Sequence, residues 1–209
     1  MVKNIKLKMI LLGDTYSGKT SIMNRYFNNF FENESKSTIG VDFFKTTLQK
    51  NGSNYSIFIW DTSGQDKFNS IIRSYYRNMT VAILVFDLSN KESIHNIQNW
   101  LNNINNYCNK DIIIYLIGNK CDKDSTIDYN FINELCRTND IIFMEVSAKK
   151  NININRLIDT IVNNIDIQLS NFILKPKKDN GLTILESFNV NVNVNDSKKE
   201  EKSNCCTIL

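Results

Sequence analysis

Apolar residues along the first 170 positions follow two alternating patterns, one with the period of strands and one with the period of helices. Six segments have the alternating or continuous apolar pattern of strands, namely residues 5–12, 42–49, 55–60, 81–87, 112–118 and 141–146. Between several of them apolar residues recur three or four positions apart, which predicts amphipathic helices over residues 21–27, 94–104 and 154–169. Strands that alternate with helices favour an α/β fold with a mainly parallel sheet.

One connection predicts an antiparallel pair within this sheet. Residues 50–53 have the sequence Lys-Asn-Gly-Ser, and an Asn-Gly pair between two strand-like segments is a strong signal of a tight hairpin turn. We therefore expect the segments before and after this turn, residues 42–49 and 55–60, to pair as a β-hairpin.

The end of the chain loses both apolar periods. Residues 171–209 contain the single proline, Pro176, and an alternating Asn-Val run over residues 189–195. That run has the period of a strand, but no partner strand or flanking core accompanies it, so disorder is favoured. The pattern predicts one globular domain over residues 1–170 and a flexible tail over residues 171–209.

Composition and charge exclude several classes of protein. The formal net charge is only +3 and both signs are interspersed, which gives no electrostatic reason to expect nucleic-acid binding. The longest apolar runs, residues 81–86 and 112–117, are far shorter than the roughly 20 residues that a membrane span needs. The N-terminus has no apolar core of signal-peptide length, so we expect a cytosolic protein whose five cysteines are reduced.

A phosphate-binding motif follows the first predicted strand. The motif G-x-x-x-x-G-K-[ST] is matched by eight consecutive residues, Gly13, Asp14, Thr15, Tyr16, Ser17, Gly18, Lys19 and Thr20, and a predicted helix comes next. In such a loop the backbone N–H groups and the helix N-terminus bind phosphate. We expect Lys19 to reach the β- and γ-phosphates and the Thr20 hydroxyl to bind Mg²⁺.

Two later segments predict which base the nucleotide carries. The sequence Asn119-Lys120-Cys121-Asp122 follows a buried strand, and the Asp122 carboxylate suits the N1–H and 2-amino donors of guanine, whereas adenine offers an acceptor at N1. Asn-Lys also occurs at residues 90–91 and 109–110, so only the copy with Asp122 and a preceding strand is informative. A second base-reading loop is predicted at Ser147, Ala148 and Lys149, and guanine is favoured over adenine.

A fourth motif follows the second strand of the predicted hairpin. Residues 61–65 have the sequence Asp-Thr-Ser-Gly-Gln. We expect Asp61 to hold Mg²⁺ through water, the Gly64 N–H to contact the γ-phosphate and Gln65 to orient the attacking water, since phosphoryl transfer needs positioning more than a strong base. Thr38 is the expected second Mg²⁺ oxygen when a γ-phosphate is present.

The motifs, taken in this order, resemble those of the Ras superfamily of small GTPases, and several further stretches resemble the Rab family. The Rab-like stretches are residues 39–43, 60–62, 67–71, 75–77 and 84–87. The resemblance implies a three-layer P-loop GTPase fold, with a six-stranded, mostly parallel sheet, one antiparallel edge hairpin strand and helices on both faces. It also implies a monomeric GTPase that binds GTP or GDP with Mg²⁺, in which Lys19 and Gln65 serve catalysis.

The resemblance assigns further residues and partners. Ser21 and Phe31 would contact the nucleotide, Phe31 by packing against the base. Effectors would bind a surface made of Ile39, Gly40, Val41, Asp42, Phe43, Trp60 and Tyr75. The implied partners are an exchange factor, a GTPase-activating protein, an escort protein with its prenyltransferase and a GDP-dissociation inhibitor.

The C-terminus resembles a Rab prenylation signal. Cys205 and Cys206 are adjacent, and the last four residues, Cys-Thr-Ile-Leu, also fit a C-a-a-X signal for geranylgeranyl. Two lipid chains meet the requirement for stable anchoring. We therefore expect the protein on the cytoplasmic face of an intracellular membrane, cycling with the cytosol.

Two departures from the Rab pattern keep other functions open. Ser63 replaces the usual Ala and Asp66 the usual Glu, both beside Gln65. These changes allow a nucleotide-gated membrane scaffold with negligible hydrolysis, and a P-loop ATPase is a weaker alternative. Among isolated residues, His95 is expected on the surface, while Trp100 and Tyr107 at helical spacing are expected in the core rather than at a ligand.

Overall fold

The computed structural model describes residues 3–33, 37–64 and 75–174, with side chains described through residue 170. The strands in these ranges are β1 (Lys3–Leu12), β2 (Val41–Lys50), β3 (Ser53–Thr62), β4 (Val81–Asp87), β5 (Ile113–Asn119) and β6 (Ile142–Glu145). The helices are α1 (Lys19–Asn28), α2 (Lys91–His95), α3 (Ile97–Tyr107), α4 (Tyr129–Asn139) and α5 (Ile154–Leu174). Each predicted strand is present within two residues of its expected bounds.

The strands form one six-stranded sheet in the order β2-β3-β1-β4-β5-β6. Strand β1 pairs in parallel with β3 and β4, and the parallel pairing continues through β5 to β6. Only the edge strand β2 is antiparallel in this sheet, pairing with β3 from Val41 opposite Thr62 to Lys50 opposite Ser53. Asn51 (φ 46°) and Gly52 (φ 72°) make the turn, so the predicted hairpin is confirmed.

Helices cover both faces of the sheet, as the implied three-layer fold requires. Side chains alternate along β1, so that Leu7 and Met9 enter one buried cluster and Ile10 and Leu12 enter the other. The first cluster packs the sheet against α1 and α5, and the second packs it against α2, α3 and α4. The central strands β4 and β5 and the second half of β1 are therefore buried on both faces, which explains their nearly continuous apolar sequences.

The region between β4 and β5 differs from the sequence expectation. The apolar period over residues 94–104 is divided into α2 and α3, with Asn96 between them. Trp100 is buried, as expected, but Tyr107 is 37% exposed, so its predicted core position is wrong. Tyr107 is the last residue of α3, where a helix has packing partners on fewer sides, and its ring meets Tyr76 at a centroid distance of 5.9 Å.

Helix α5 runs to Leu174, beyond the domain edge that the pattern predicts at residue 170. The remaining tail residues, 175–209, lie outside the described residues. Within the part of the chain that is described, no helix combines the length and the apolar character that crossing a bilayer demands.

The parallel strands β1, β3, β4 and β5 end at one edge of the sheet, where ligands bind in open α/β folds. All the predicted nucleotide motifs directly follow one of these ends or that of β6.

Candidate functional site

The loop between β1 and α1 depends on glycine at two positions. Gly13 has a φ of 133°, and a Cβ there would lie 2.0 Å from the carbonyl oxygen of Val85. Gly18 has a φ of 95°, and a Cβ there would lie 2.1 Å from the side-chain nitrogen of Asn119. No other residue fits either position, because the contacts and the backbone conformation both exclude a side chain.

Lys19 is the first residue of α1, and its ammonium group turns back into this loop. Its Nζ donates to the carbonyl oxygens of Gly13 at 2.7 Å and Asp14 at 2.9 Å, and the residue is only 5% exposed. Burial lowers the pKa of Lys19 to about 8, although the carboxylates of Asp61 and Asp14 oppose this effect. A buried cation at a helix N-terminus is suited to hold an anion.

Three oxygen-bearing side chains from separate segments converge beside Lys19. The Thr20 hydroxyl donates to Asp61 Oδ2 at 2.6 Å and shares a hydrogen bond of 2.6 Å with the Thr38 hydroxyl. Asp61 is wholly buried, and burial raises its pKa to about 6 despite the Thr20 hydrogen bond and the charge of Lys19. Within the described part of the chain, its other oxygen, Oδ1, has no hydrogen-bond partner.

These three side chains fit a magnesium ion. Mg²⁺ prefers oxygen ligands and is held in nucleotide sites by one or two protein groups together with phosphates and water. The buried and unpartnered Oδ1 of Asp61 is an acceptor that a cation or its water would satisfy.

The segment after β3 touches the phosphate-binding loop. A Cβ on Gly64 would lie 2.3 Å from the backbone nitrogen of Thr15 and 2.7 Å from the carbonyl oxygen of Gly13. The Ser63 N–H donates to the Gly40 carbonyl at 2.9 Å, which ties this segment to the one that carries Thr38. A pocket opens here, lined by Thr15, Tyr16, Gly18, Lys19, Thr20, Ser21, Ser37, Thr38 and Gly64.

The two predicted base-reading loops lie together against the phosphate-binding loop. Asn119 donates from Nδ2 to the Ser17 carbonyl at 2.9 Å and accepts from the Ala148 N–H at 3.3 Å. The Ser147 hydroxyl donates to Asp122 Oδ1 at 2.5 Å. The structure thus brings together residues that are separated by up to about 130 positions in the sequence.

Lys120 forms a further bridge from this region to the phosphate-binding loop. Its Nζ donates to the Tyr16 carbonyl at 2.9 Å and forms a 2.7 Å ion pair with Asp87. Burial alone would raise the pKa of Asp87, but hydrogen bonds from Lys120 and Ser89 outweigh it and hold this pKa below its usual value. The Tyr16 side chain points outward, as its 65% exposure requires.

Sequence reasoning missed two sets of residues that hold these loops. Arg25 on α1 donates to the carbonyls of Ala148 at 2.8 Å and Lys149 at 3.2 Å. Its guanidinium carbon also lies 6.0 Å from the centre of the Phe31 ring, and Phe31 packs against the first buried cluster. The second set is Asn96 and Trp100, both of which donate to the Asp14 carboxylate. No local sequence signal marks any of the three.

Several of the predicted effector residues lie near one another in the structure. Phe43 is 54% exposed, and its ring meets that of Trp60 at 5.2 Å in an edge-on arrangement. Trp60 and Tyr75 are half-buried against the second cluster together with Val41. The remaining members are Ile39, Gly40 and Asp42, of which Ile39 and Asp42 are exposed.

Three predicted site residues, Gln65, Cys205 and Cys206, lie outside the described residues, as does Asp66.

Comparison with known proteins gives the family. The model of the Ras family matches residues 8–167. The chain is 33% identical over 202 residues to Ras-related protein Rab11A of Nicotiana tabacum, covering 96% of this chain and 94% of that protein. It is 38% identical over 164 residues to Ras-related protein Rab-10 of Diplobatis ommata, covering 78% and 82%. The chain therefore belongs to the Ras family and, within it, to the Rab proteins, which are small GTPases that hydrolyse GTP.

Proposed function

We propose that this Rab protein binds GTP and GDP with Mg²⁺, hydrolyses GTP slowly and acts as a membrane-anchored switch that recruits effectors in vesicle traffic. The observation that carries the proposal is the convergence of Lys19, Thr20, Thr38 and Asp61 at the mouth of one glycine-dependent loop. The four side chains come from three segments and combine one cation with three oxygen groups, which suits a polyphosphate and its metal ion.

The phosphate-binding loop and Lys19 would bind the phosphates of the nucleotide. The N–H groups of the loop and of the first turn of α1 would bind phosphate in the pocket that Lys19 and Thr20 line, where the helix dipole adds positive potential. The Lys19 ammonium would exchange its bonds to the Gly13 and Asp14 carbonyls for phosphate oxygens, and the added negative charge would raise its pKa again.

Thr20, Thr38 and Asp61 would hold the magnesium ion, directly or through water. When bound, the ion neutralises charge on the β- and γ-phosphates. Asp61 would then be ionised, because a neighbouring cation offsets the burial that raises its pKa. Thr38 lies next to the exposed Ile39, so a contact made by its hydroxyl would also order the effector surface.

Guanine recognition falls to the loops after β5 and β6. Asp122 would accept hydrogen bonds from the base, and the Ala148 and Lys149 backbone lies beside it because Asn119 and Arg25 hold that loop. Ser147 fixes the Asp122 carboxylate, and Phe31 and Lys120 would flank the ring. Competition of unlabelled GTP against ATP for labelled GDP tests this assignment and separates a GTPase from a P-loop ATPase.

Gln65 is proposed to orient the water that attacks the γ-phosphate. Gln65→Leu should keep GTP affinity within about twofold, because the side chain does not bind the nucleotide, while stimulated hydrolysis falls at least about tenfold. The measurement is single-turnover hydrolysis with and without a cell extract that supplies the GTPase-activating protein. Gln49→Leu, on the edge strand β2, is the matched control, and undiminished hydrolysis in Gln65→Leu would remove Gln65 from the mechanism.

Membrane attachment is proposed through geranylgeranyl groups on Cys205 and Cys206. The Cys205→Ser/Cys206→Ser variant should lose the membrane fraction of a tagged protein, because no acceptor thiol would remain near the C-terminus. Cys136→Ser, a half-buried thiol on α4, is the control and should keep it. A double variant that stays on membranes would contradict lipid anchoring. The compartment that the wild-type protein labels and the double variant does not would identify the transport step.

Cycling between membrane and cytosol follows from this arrangement. The proposed location of the protein is the cytoplasmic face of an intracellular membrane. There, effectors, an exchange factor and a GTPase-activating protein would act on the GTPase domain. An escort protein and prenyltransferase would add the lipids, and a GDP-dissociation inhibitor would extract the GDP form.

A second candidate is a nucleotide-gated scaffold with negligible hydrolysis. The observation that favours it is Ser63, which is buried beside the phosphate-binding loop where Rab proteins usually have alanine. The single-turnover assay also decides here, since a scaffold would retain bound GTP even with the extract present.

A further inference from the structure

We propose that Asn96 and Trp100 are positioning residues that clamp the phosphate-binding loop through the Asp14 carboxylate and thereby set how long a nucleotide stays bound. Trp100 Nε1 donates to Asp14 Oδ1 and Asn96 Nδ2 donates to Asp14 Oδ2, each at 2.9 Å. Each of the two carboxylate oxygens therefore accepts one hydrogen bond, one from Asn96 between α2 and α3 and one from Trp100 in the first turn of α3. The inference rests on the nucleotide binding proposed above.

The Asp14 contact is unexpected for a loop that receives a triphosphate. A carboxylate next to phosphate is repelled unless it is turned away and neutralised by donors. The two bonds hold it toward α3, while the Asp14 carbonyl accepts from Lys19 Nζ at 2.9 Å and from the Ser17 N–H at 3.2 Å. When the ammonium group turns to phosphate, the bond from Ser17 remains, so the position of Asp14 still determines where the next turn of the loop lies.

The Asn96 side chain bonds to Asp14 and does not cap the helix that follows it. It precedes α3, where an asparagine side chain ordinarily accepts a hydrogen bond from the first turn of the helix. Here its backbone is helical, with φ −75° and ψ −13°, and its side chain makes no capping bond. Its amide donates to Asp14 instead, so a local stabilising bond is replaced by one to the loop.

Trp100 supplies a rigid support. Its ring is 6% exposed and packed in the second buried cluster, so the direction of its N–H is fixed by the core. A buried indole N–H needs an acceptor, and Asp14 is the acceptor it has. The loop is thus fixed on this side by α3. On the other side it is fixed by hydrogen bonds that Asn119 donates to the Ser17 carbonyl and Lys120 donates to the Tyr16 carbonyl.

A loop held from both sides loses less freedom when it binds a ligand, and this favours a long-lived complex. Removing the donors should loosen the half of the loop that carries Asp14 and accelerate nucleotide release. The fold itself should change little, because Trp100→Phe keeps an aromatic ring, though a smaller one, at the buried position, and the Asn96 side chain has no capping bond to lose.

The test is the dissociation rate of N-methylanthraniloyl-GDP from the full chain, measured with Mg²⁺ at a fixed concentration and excess unlabelled GDP. Trp100→Phe and Asn96→Ala should each raise the rate about three- to tenfold. Gln98→Ala, on the same turn of α3, and Tyr115→Phe should leave it unchanged. Tyr115→Phe also removes a buried hydrogen bond, that of Asn164 at 3.0 Å, but on the opposite face of the sheet.

A charge-preserving exchange separates positioning from general destabilisation. Asn96→Asp alone places two carboxylates, which can only accept, against each other and should release GDP faster. In the Asp14→Asn/Asn96→Asp exchange, the new amide accepts from Trp100 and donates to the new carboxylate, so the rate should return at least halfway toward wild type. A helix merely destabilised by substitution would not be rescued in this way.

The outcomes are distinct. Wild-type rates in both Trp100→Phe and Asn96→Ala, or an exchange variant as fast as Asn96→Asp, would overturn the clamp while leaving the proposed function intact. A wild-type chain that retains no labelled GDP would overturn the nucleotide proposal and the clamp with it.

Discussion

Asp122→Asn should exchange the protein's preference for guanine nucleotides for a preference for xanthine nucleotides. In the proposed site the Asp122 carboxylate would accept from the N1–H and the 2-amino group of guanine, and an asparagine would offer a donor where the 2-amino group arrives. Xanthine has an oxygen at that position, so the asparagine amide suits it. We expect GDP affinity to fall about 10³-fold or more, about 4 kcal/mol, because a site built on paired hydrogen bonds strongly rejects the unmatched base.

Because of the contact with Ser147, the Asp122→Asn change should alter base recognition without moving the loop. The Ser147 hydroxyl donates to Asp122 Oδ1, and the Ser147 Oγ also accepts from the Lys150 N–H at 2.9 Å. An asparagine can keep its oxygen on Ser147, so the loop should stay in place. Equilibrium titration with GDP and xanthosine diphosphate measures the shift.

The matched control is Asp128→Asn. Asp128 caps α4 by accepting from the Asn130 N–H at 2.9 Å, and asparagine caps a helix equally well. The same chemical change there should leave base preference and stability unaltered. If Asp122→Asn still bound GDP as tightly as wild type and gained nothing for xanthosine diphosphate, Asp122 would not be the residue that reads the base.

Gly64→Ala should reduce GTP hydrolysis at least about a hundredfold while GDP affinity stays within about tenfold. The added Cβ would lie 2.3 Å from the Thr15 nitrogen and 2.4 Å from the Asp14 carbonyl carbon, which are backbone atoms that cannot rotate aside. The segment after β3 must therefore move away from the loop. Displacement of about 1 Å in a catalytic arrangement costs about a hundredfold in rate.

GDP should be less affected because the loop is held from other directions. Asn119 and Lys120 bind its later half, and Asn96 and Trp100 bind Asp14. Single-turnover hydrolysis and GDP titration on the same preparation separate the two effects.

Gly52→Ala provides the comparison for this prediction. Gly52 is in the hairpin turn with a φ of 72°, and a Cβ there meets nothing within 4 Å. Alanine at such a φ costs about 1 kcal/mol of stability through backbone strain, and hydrolysis should be normal. Hydrolysis by Gly64→Ala within threefold of wild type would contradict the need for close contact between Gly64 and the loop.

Local patterns were sufficient for the strands and for the motif positions, although α4 was not among the predicted helices. The period of apolar residues gave six strands, and the Asn51-Gly52 pair gave the antiparallel hairpin, because both depend only on neighbouring residues. The glycine spacing of the phosphate-binding motif is likewise local, although the reason for Gly13 and Gly18 lies in contacts with Val85 and Asn119.

The apolar pattern did not predict where one helix ends or which side chains at a helix end are exposed. The apolar spacing of residues 94–104 passes through Asn96 without interruption, yet the structure divides it into α2 and α3 there. Tyr107 has the spacing of a core residue, but exposure at a helix end depends on what packs beyond it. Neither property is encoded in the period itself.

By itself, the sequence determined the α/β architecture and the position of the phosphate-binding motif, and it predicts Asp122 as the base-reading residue, because a short segment carries each signal. Only the tertiary structure decided which distant groups support them: Thr20 with Asp61, Arg25 with Ala148, and Asp14 with Asn96 and Trp100. Such pairings span 41 to 123 positions. They depend on which strands lie side by side, and strand order is set by the packing of the whole sheet rather than by any stretch of chain.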